Sequence, residues 1–131
     1  MVDGGAVNFH GYQRHSADLD FWISTKKENL SNLKRALEDL GFENVEFPQE
    51  VKKAKQNISI KISPLTELEL ITRFNPGKTF EEAYENSVTN QNPEIPYRVI
   101  NLEELLESKR RSARPKDLLD IQELKRINGI Q

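Results

Sequence analysis

From Asp18 to Ile23 the chain alternates: Leu19, Phe21 and Ile23 share one face, and Asp18, Asp20 and Trp22 the other. That period of two is the mark of a half-buried strand. The period then changes. Leu30, Leu33, Leu37 and Leu40 form one helical stripe, opened by a Thr25-Lys-Lys-Glu28 capping box and closed at Gly41, a natural left-handed C-terminal residue. Between Gly41 and Gln56, Val45 and Phe47 predict a short strand followed by a lysine-rich loop. Alternation resumes at Asn57–Ser63, with Ile58, Ile60 and Ile62 on one face. It continues past Pro64, with Leu68, Leu70 and Phe74 facing inward and Glu67, Glu69, Ile71 and Arg73 opposite.

Asn75-Pro76-Gly77 is a turn signal, and Thr79-Phe-Glu-Glu82 is a second capping box that starts a short helix ending near Asn86. A brief strand follows at Tyr97–Ile100. Asn101 then caps a helix through Leu102, Leu105 and Leu106. Pro115 suits the first turn of a last helix with Leu118, Ile121, Leu124 and Ile127 as its stripe. The pattern predicts one α/β (α+β) domain over 1–131, with about four strands in a mixed sheet and helices mainly on one face. Residues 1–100 make its core and 101–131 a C-terminal helix pair.

Composition narrows the function classes. The 131 residues are 36% hydrophobic and 31% charged, which supports one modest core under a well-solvated surface. Nineteen basic and twenty-one acidic residues leave a net charge of −2, which excludes a globally basic nucleic-acid coat but not a local basic patch. The absence of cysteine excludes disulfides, thiolate metal sites and a cysteine nucleophile. No apolar run reaches membrane-spanning length, and the first residues lack signal-peptide character, so the expectation is a cytoplasmic chain with no membrane partner.

Asp18 and Asp20 are the sharpest chemical feature. At i and i+2 of a strand their Cα atoms are roughly 6.5–7 Å apart on one face, so both carboxylates can converge on Mg²⁺, which prefers hard oxygen ligands. An Asp-x-Asp is also common in surface strands, so its surroundings matter. Gly4-Gly5-Ala6 upstream would let backbone N–H groups approach a phosphate, or form an ordinary turn. Glu69 lies on the polar face of a later strand, as a third carboxylate or as a solvent-facing one. Arg14 is placed either to steer phosphates or to pair with Asp18. Lys109, Arg110, Arg111, Arg114 and Lys116 concentrate positive charge in one short window, around an anion or as complement to a helix C-terminus. Asp117 and Asp120 read as structural, and Trp22 as cover for the strand or a platform for a base. His10 and His15 fit no metal-ligand set.

Taken in order, Gly4-Gly5-Ala6-Val7, Gly11-Tyr12, Arg14, Ser16 and Asp18-Leu19-Asp20 resemble the signature of the nucleotidyltransferase-fold superfamily. The resemblance is closest to bacterial nucleotidyltransferase-like proteins near the AbiEii-type toxin branch. It continues through Leu68-Glu69-Leu70-Ile71-Thr72, Phe80-Glu-Glu-Ala83, Asn101–Leu106, Lys109 and Arg114-Pro115-Lys116-Asp117-Leu118-x-Asp120, and covers nearly the whole chain. It implies a minimal polymerase-β-like fold with Asp18, Asp20 and Glu69 as catalytic carboxylates and Mg²⁺ ligands. Gly4, Gly5, Arg14, Lys109 and Arg114 would be nucleotide-binding. The activity implied is transfer of NMP from a nucleoside triphosphate to a hydroxyl of RNA, protein or a small molecule, with pyrophosphate released.

The chain departs from that pattern twice. Only Met1-Val2-Asp3 precede the glycines where the family has a helix and a full strand, so a truncated edge is expected, completed by a second copy or a partner protein. Glu69 stands where the family has Asp, which displaces the third carboxylate by a methylene. These departures carry the alternative expectation: a non-catalytic binding or regulatory module, such as one partner of a toxin–antitoxin or phage-defence pair.

Overall fold

The computed structural model describes residues 1–13, 18–90, 92 and 94–131. Its elements are α1 (Asp3–Phe9), β1 (Asp18–Trp22), α2 (Lys27–Asp39), α3 (Gln49–Lys52), β2 (Ile58–Ser63) and β3 (Thr66–Ile71), then α4 (Phe80–Glu85), β4 (Val88–Thr89), β5 (Arg98–Val99), α5 (Leu102–Ser112) and α6 (Pro115–Ile127). Strands β1, β3 and β2 form one mixed sheet in that order: β1 runs parallel to β3, and β2 pairs with β3 as an antiparallel hairpin. The sheet therefore has three strands among the described residues, not about four, because the strand near 98 pairs with β4 in a ribbon of its own. The strand expected around Val45 and Phe47 does not form; that stretch is irregular and leads into α3.

The main core comprises Val2, Ala6, Val7, Val99, Ile100, Leu105, Leu106 and Leu124, with Trp22, Ile71 and Phe74 packed against it. Helices α1, α5 and α6 thus lie against the sheet face that carries Trp22 and Ile71. Leu37 of α2 shares a cavity with Ile58 and Ile60, which lie on the other face. Helices therefore meet both faces, unlike the one-sided packing expected from the pattern. The reason is that β1 and β3 become apolar on both faces at their C-terminal ends, where Phe21 and Trp22 pair with Leu70 and Ile71.

Local signals explain most helix ends. Thr79 Oγ1 accepts from the Glu82 amide at 3.2 Å and Glu82 returns the contact to the Thr79 amide at 3.0 Å, the complete capping box. Asn101 Oδ1 accepts from the Glu104 amide at 2.8 Å at the start of α5. Gly41, at φ +102°, ends α2 with a Phe42 amide bond back to the Leu37 carbonyl. The box expected at Thr25 is not made. Lys26 is the N-cap and Asn29 bonds the Ser24 carbonyl at 2.7 Å, so the chain enters α2 through an Asn-stabilised turn.

Helix α6 departs from its predicted stripe by one position. Leu118 and Leu119 are exposed, while Asp117, Asp120 and Leu124 are buried. Two carboxylates take the inward positions because they have a buried cation to meet. The N-terminal residues form a bridge rather than a loose end: the Val2 amide donates to the Asp20 carbonyl at 2.8 Å, and the Ile100 amide to Met1 at 3.0 Å. Val2 thereby supplies one antiparallel pairing on the outer edge of β1, where a full strand was expected to be missing.

Candidate functional site

Parallel pairing of β1 with β3 sets Asp18 opposite Glu67 and Asp20 opposite Glu69. By strand alternation all four carboxylates lie on one sheet face, the face that becomes Trp22 and Ile71 at its other end. Strand β2 extends the rows: Ser59 pairs with Glu69 and Lys61 with Glu67. The Ser59 hydroxyl donates to Glu69 Oε1 at 3.0 Å, which fixes that carboxylate on the sheet. Like charges paired across strands are unfavourable, so Lys61 offsets one row and the Ser59 hydroxyl only partly relieves the other.

Asp20 is 8% exposed and the most perturbed of the set. Its carboxyl is pushed up to about 6, first by burial and then by the negative charges of Asp3, Glu69 and Asp18, with Lys116 pulling it partly back. Among the described residues, no three acidic or histidine side chains stand close enough together to hold one metal ion as placed. The donor chemistry nevertheless suits a hard cation, since the face offers carboxylate oxygens with an excess of negative charge.

The other expected residues fall into two groups. Gly4 and Gly5 lie in α1 rather than in an open turn, and Gly4 is buried. A Cβ on Gly5 would meet only the Met1 side chain, its sulfur at 2.5 Å, a flexible neighbour that can move aside. Arg14, like His15, lies outside the described residues. Lys109 is inside the molecule, 3% exposed at its side chain, with Nζ 2.5 Å from Asp3, 3.0 Å from Asp120 and 3.3 Å from Asp117. Burial alone would lower its pKa, but hydrogen bonds and charge from Asp3 and Asp120 raise it above the ordinary lysine value.

Arg114 caps α6. Its Nε donates to Asp117 at 2.7 Å, and its other end lies 3.9 Å from Asp3. Burial would raise the Asp117 carboxyl, yet hydrogen bonds from Arg114 and Ser112 and the Lys109 charge hold it down at about 2. Lys109 and Arg114 therefore belong to one buried ionic cluster joining α1, α5 and α6. Asp117 and Asp120 are structural, as their sequence positions implied.

Asp3 is the residue that the pattern did not single out. At φ +49° it turns the chain from the Val2 bridge into α1, a backbone state that Asp tolerates better than most residues. Its carboxylate pairs with Lys109 while its charge acts on Asp20. It thus couples the ionic cluster to the acidic strand. Its place directly before Gly4-Gly5 was the available signal. At the far end of β1, Trp22 lies edge-on to Phe74 at 5.0 Å and to Phe80 at 5.1 Å, which makes it cover for the core.

Among the described residues no helix is long and apolar enough to cross a membrane. No family model matches the chain, and comparison with curated proteins and with solved structures likewise returns no match.

Proposed function

We propose that this chain is a Mg²⁺-dependent nucleotidyltransferase of the polymerase-β-like fold, transferring NMP from a nucleoside triphosphate to a hydroxyl acceptor. The observation that carries the reading is the register of Asp20 against Glu69, with Asp18 two residues away on the same face. This sets the three carboxylates named by the motif resemblance on one sheet face, although 49 positions separate Asp20 from Glu69 in sequence. Asp18, Asp20 and Glu69 would hold the metal, which when bound offsets the charge of the phosphates and of the crowded carboxylates.

In the reaction the acceptor oxygen attacks the α-phosphorus, the bond to the bridging oxygen of the β-phosphate breaks, and pyrophosphate leaves. The proton of the acceptor passes to a carboxylate, with Glu69 in that position, held by the Ser59 hydroxyl. Lys116, whose charge already acts on Asp20, counters part of the negative charge there. Calorimetric titration with Mg–ATP and Mg–GTP tests the reading at the binding step: wild type binds at least one, and an Asp18→Asn/Asp20→Asn variant does not. Absence of binding by the wild-type chain counts against it.

A second reading keeps the fold without the chemistry, as a partner in a toxin–antitoxin or phage-defence pair. It is favoured by β2 at the sheet edge, with Ile62 on that strand and Leu65 just after it exposed. An open edge invites strand addition by a second copy or a partner protein. Sedimentation of the purified chain separates a self-paired dimer from a monomer awaiting a partner.

A further inference from the structure

We propose that the cleft at the C-terminal end of β1 is a binding site for a small carboxylate with an aromatic body. The cleft measures about 480 Å³ and is walled by Phe21 and Trp22 of β1, Phe80 and Tyr84 of α4, and Tyr97 and Arg98 at β5. Its rings form a continuous row. Trp22 meets Phe80 edge-on at 5.1 Å, and Phe80 stacks on Tyr84 at 5.9 Å with 22° between the ring planes. Phe80 and Tyr84 are four residues apart on α4, so one face of that helix carries both. The Arg98 guanidinium closes the row, 4.4 Å from the centre of the Tyr84 ring. An apolar wall of this size that ends in one charged group suits a small molecule held in one orientation.

The charge of the cleft is not cancelled. Among the described residues no acidic side chain lines it, and Arg98 makes no ion pair. Glu81 and Glu85 border the neighbouring groove that Arg98 also touches, but Glu81 is held by Lys26 at 3.1 Å and neither pairs with Arg98. Arg98 Nη1 donates to the Tyr84 carbonyl at 3.3 Å and to the Ser87 hydroxyl oxygen at 3.2 Å. The guanidinium is thus fixed by a ring on one face and two oxygens at one corner before any ligand arrives. Its Nε and Nη2 have no acceptor among the described residues, and they form the edge that grips a carboxylate with two parallel hydrogen bonds. A cation at this position disfavours a cationic ligand, and a single arginine matches one carboxylate better than a triphosphate. The site is independent of nucleotidyl transfer, since neither Asp18, Asp20 and Glu69 nor the Lys109 cluster contributes to the lining.

The test is metal-free calorimetry of the full chain with hydrocinnamate and with its uncharged counterpart, hydrocinnamyl alcohol. Emission of Trp22, the single tryptophan and a lining residue, is read in parallel. Saturable binding of the acid with a change in Trp22 emission is expected, and the alcohol should bind about fivefold or more weakly. Arg98→Ala should reduce the acid to the affinity of the alcohol and leave the alcohol little changed. Arg98→Lys should fall between, because it keeps the charge and loses the fork. Arg126→Ala, which removes a cation paired with Glu123 outside the cleft, should change neither. The wild-type preference for acid over alcohol decides the matter even where Arg98→Ala does not fold. The proposal is overturned by absence of saturable binding at millimolar acid, by equal affinity for acid and alcohol, or by undiminished binding in a folded Arg98→Ala. Displacement of the acid by metal-free ATP also overturns it, since the cleft would then belong to a nucleotide site. Because magnesium is omitted, a failed Mg–nucleotide titration leaves this result standing, and the reverse also holds.

Discussion

Lys109 Nζ lies 2.5 Å from Asp3, a contact that spans 106 residues and joins the middle of α5 to the turn before α1. The same Asp3 contributes to the raised carboxyl of Asp20. A lysine that sequence reasoning offered to a triphosphate is, in the folded chain, the centre of three carboxylates that includes a neighbour of the acidic strand. Removing it exposes the balance of the cluster.

Lys109→Met should therefore destabilise the fold by about 3–5 kcal/mol, since it removes the buried cation that Asp3, Asp117 and Asp120 share and leaves Arg114 alone on Asp117. Urea denaturation at neutral pH measures this. A loss under about 1 kcal/mol, the ordinary worth of an exposed pair, would contradict the buried-cluster assignment.

Asp117 and Asp20 bend stability with pH in opposite directions. Asp117, at about 2 when folded, contributes stability that is full above its ordinary value of 3.8 and is lost as pH falls from about 4 towards 2. Asp117→Asn should cost about 2 kcal/mol at pH 7, with the deficit closing at the acid end. Denaturation midpoints of the variant and wild type across this range give the comparison. A deficit that does not change with pH would show that the carboxylate charge is not the source.

Asp20 is raised to about 6, so the folded state holds its proton more tightly and stability falls as pH rises from about 4 to 6. Asp20→Asn should stabilise the chain at pH 7 by on the order of 2 kcal/mol, with the gap vanishing below about pH 4. Thermal denaturation with and without Mg²⁺ extends the test. Magnesium should raise the wild-type midpoint and leave that of the variant in place. A destabilised Asp20→Asn at neutral pH would mean that the carboxylate is already compensated.

Most of the architecture that holds this face was legible. Asp18, Asp20 and Glu69 could be assigned to polar strand faces from alternation alone, and the pairing of β1 with β3 then placed Asp20 against Glu69. Thr79, Asn101 and Gly41 act where their chemistry predicted, because caps and left-handed stops depend on a few neighbouring residues. One failure was local: Asn29, four residues after Thr25, bonds the Ser24 carbonyl and fixes the turn in place of the box. The others were long-range. The inward turn of Asp117 and Asp120, at the expense of Leu118, follows from a lysine on another helix.

The Thr79 cap titrates through its own partner: hydrogen bonds from the Thr79 amide and hydroxyl hold the Glu82 carboxyl below its ordinary value of 4.5. Thr79→Ala should lower stability by about 1 kcal/mol at pH 7, with the deficit narrowing as pH falls below that value and Glu82 is protonated. Chemical denaturation at neutral and acid pH checks it. A deficit that stays constant with pH would show that the Glu82 charge plays no part in the cap.

The central claim meets its most direct test in nucleotide transfer. The chain is incubated with Mg²⁺ and each of four α-labelled nucleoside triphosphates, against separate RNA, protein and small-molecule acceptor pools. The account predicts label in one pool with the wild-type chain and none with Asp18→Asn/Asp20→Asn. No label in any pool, or equal label from the double variant, would contradict it.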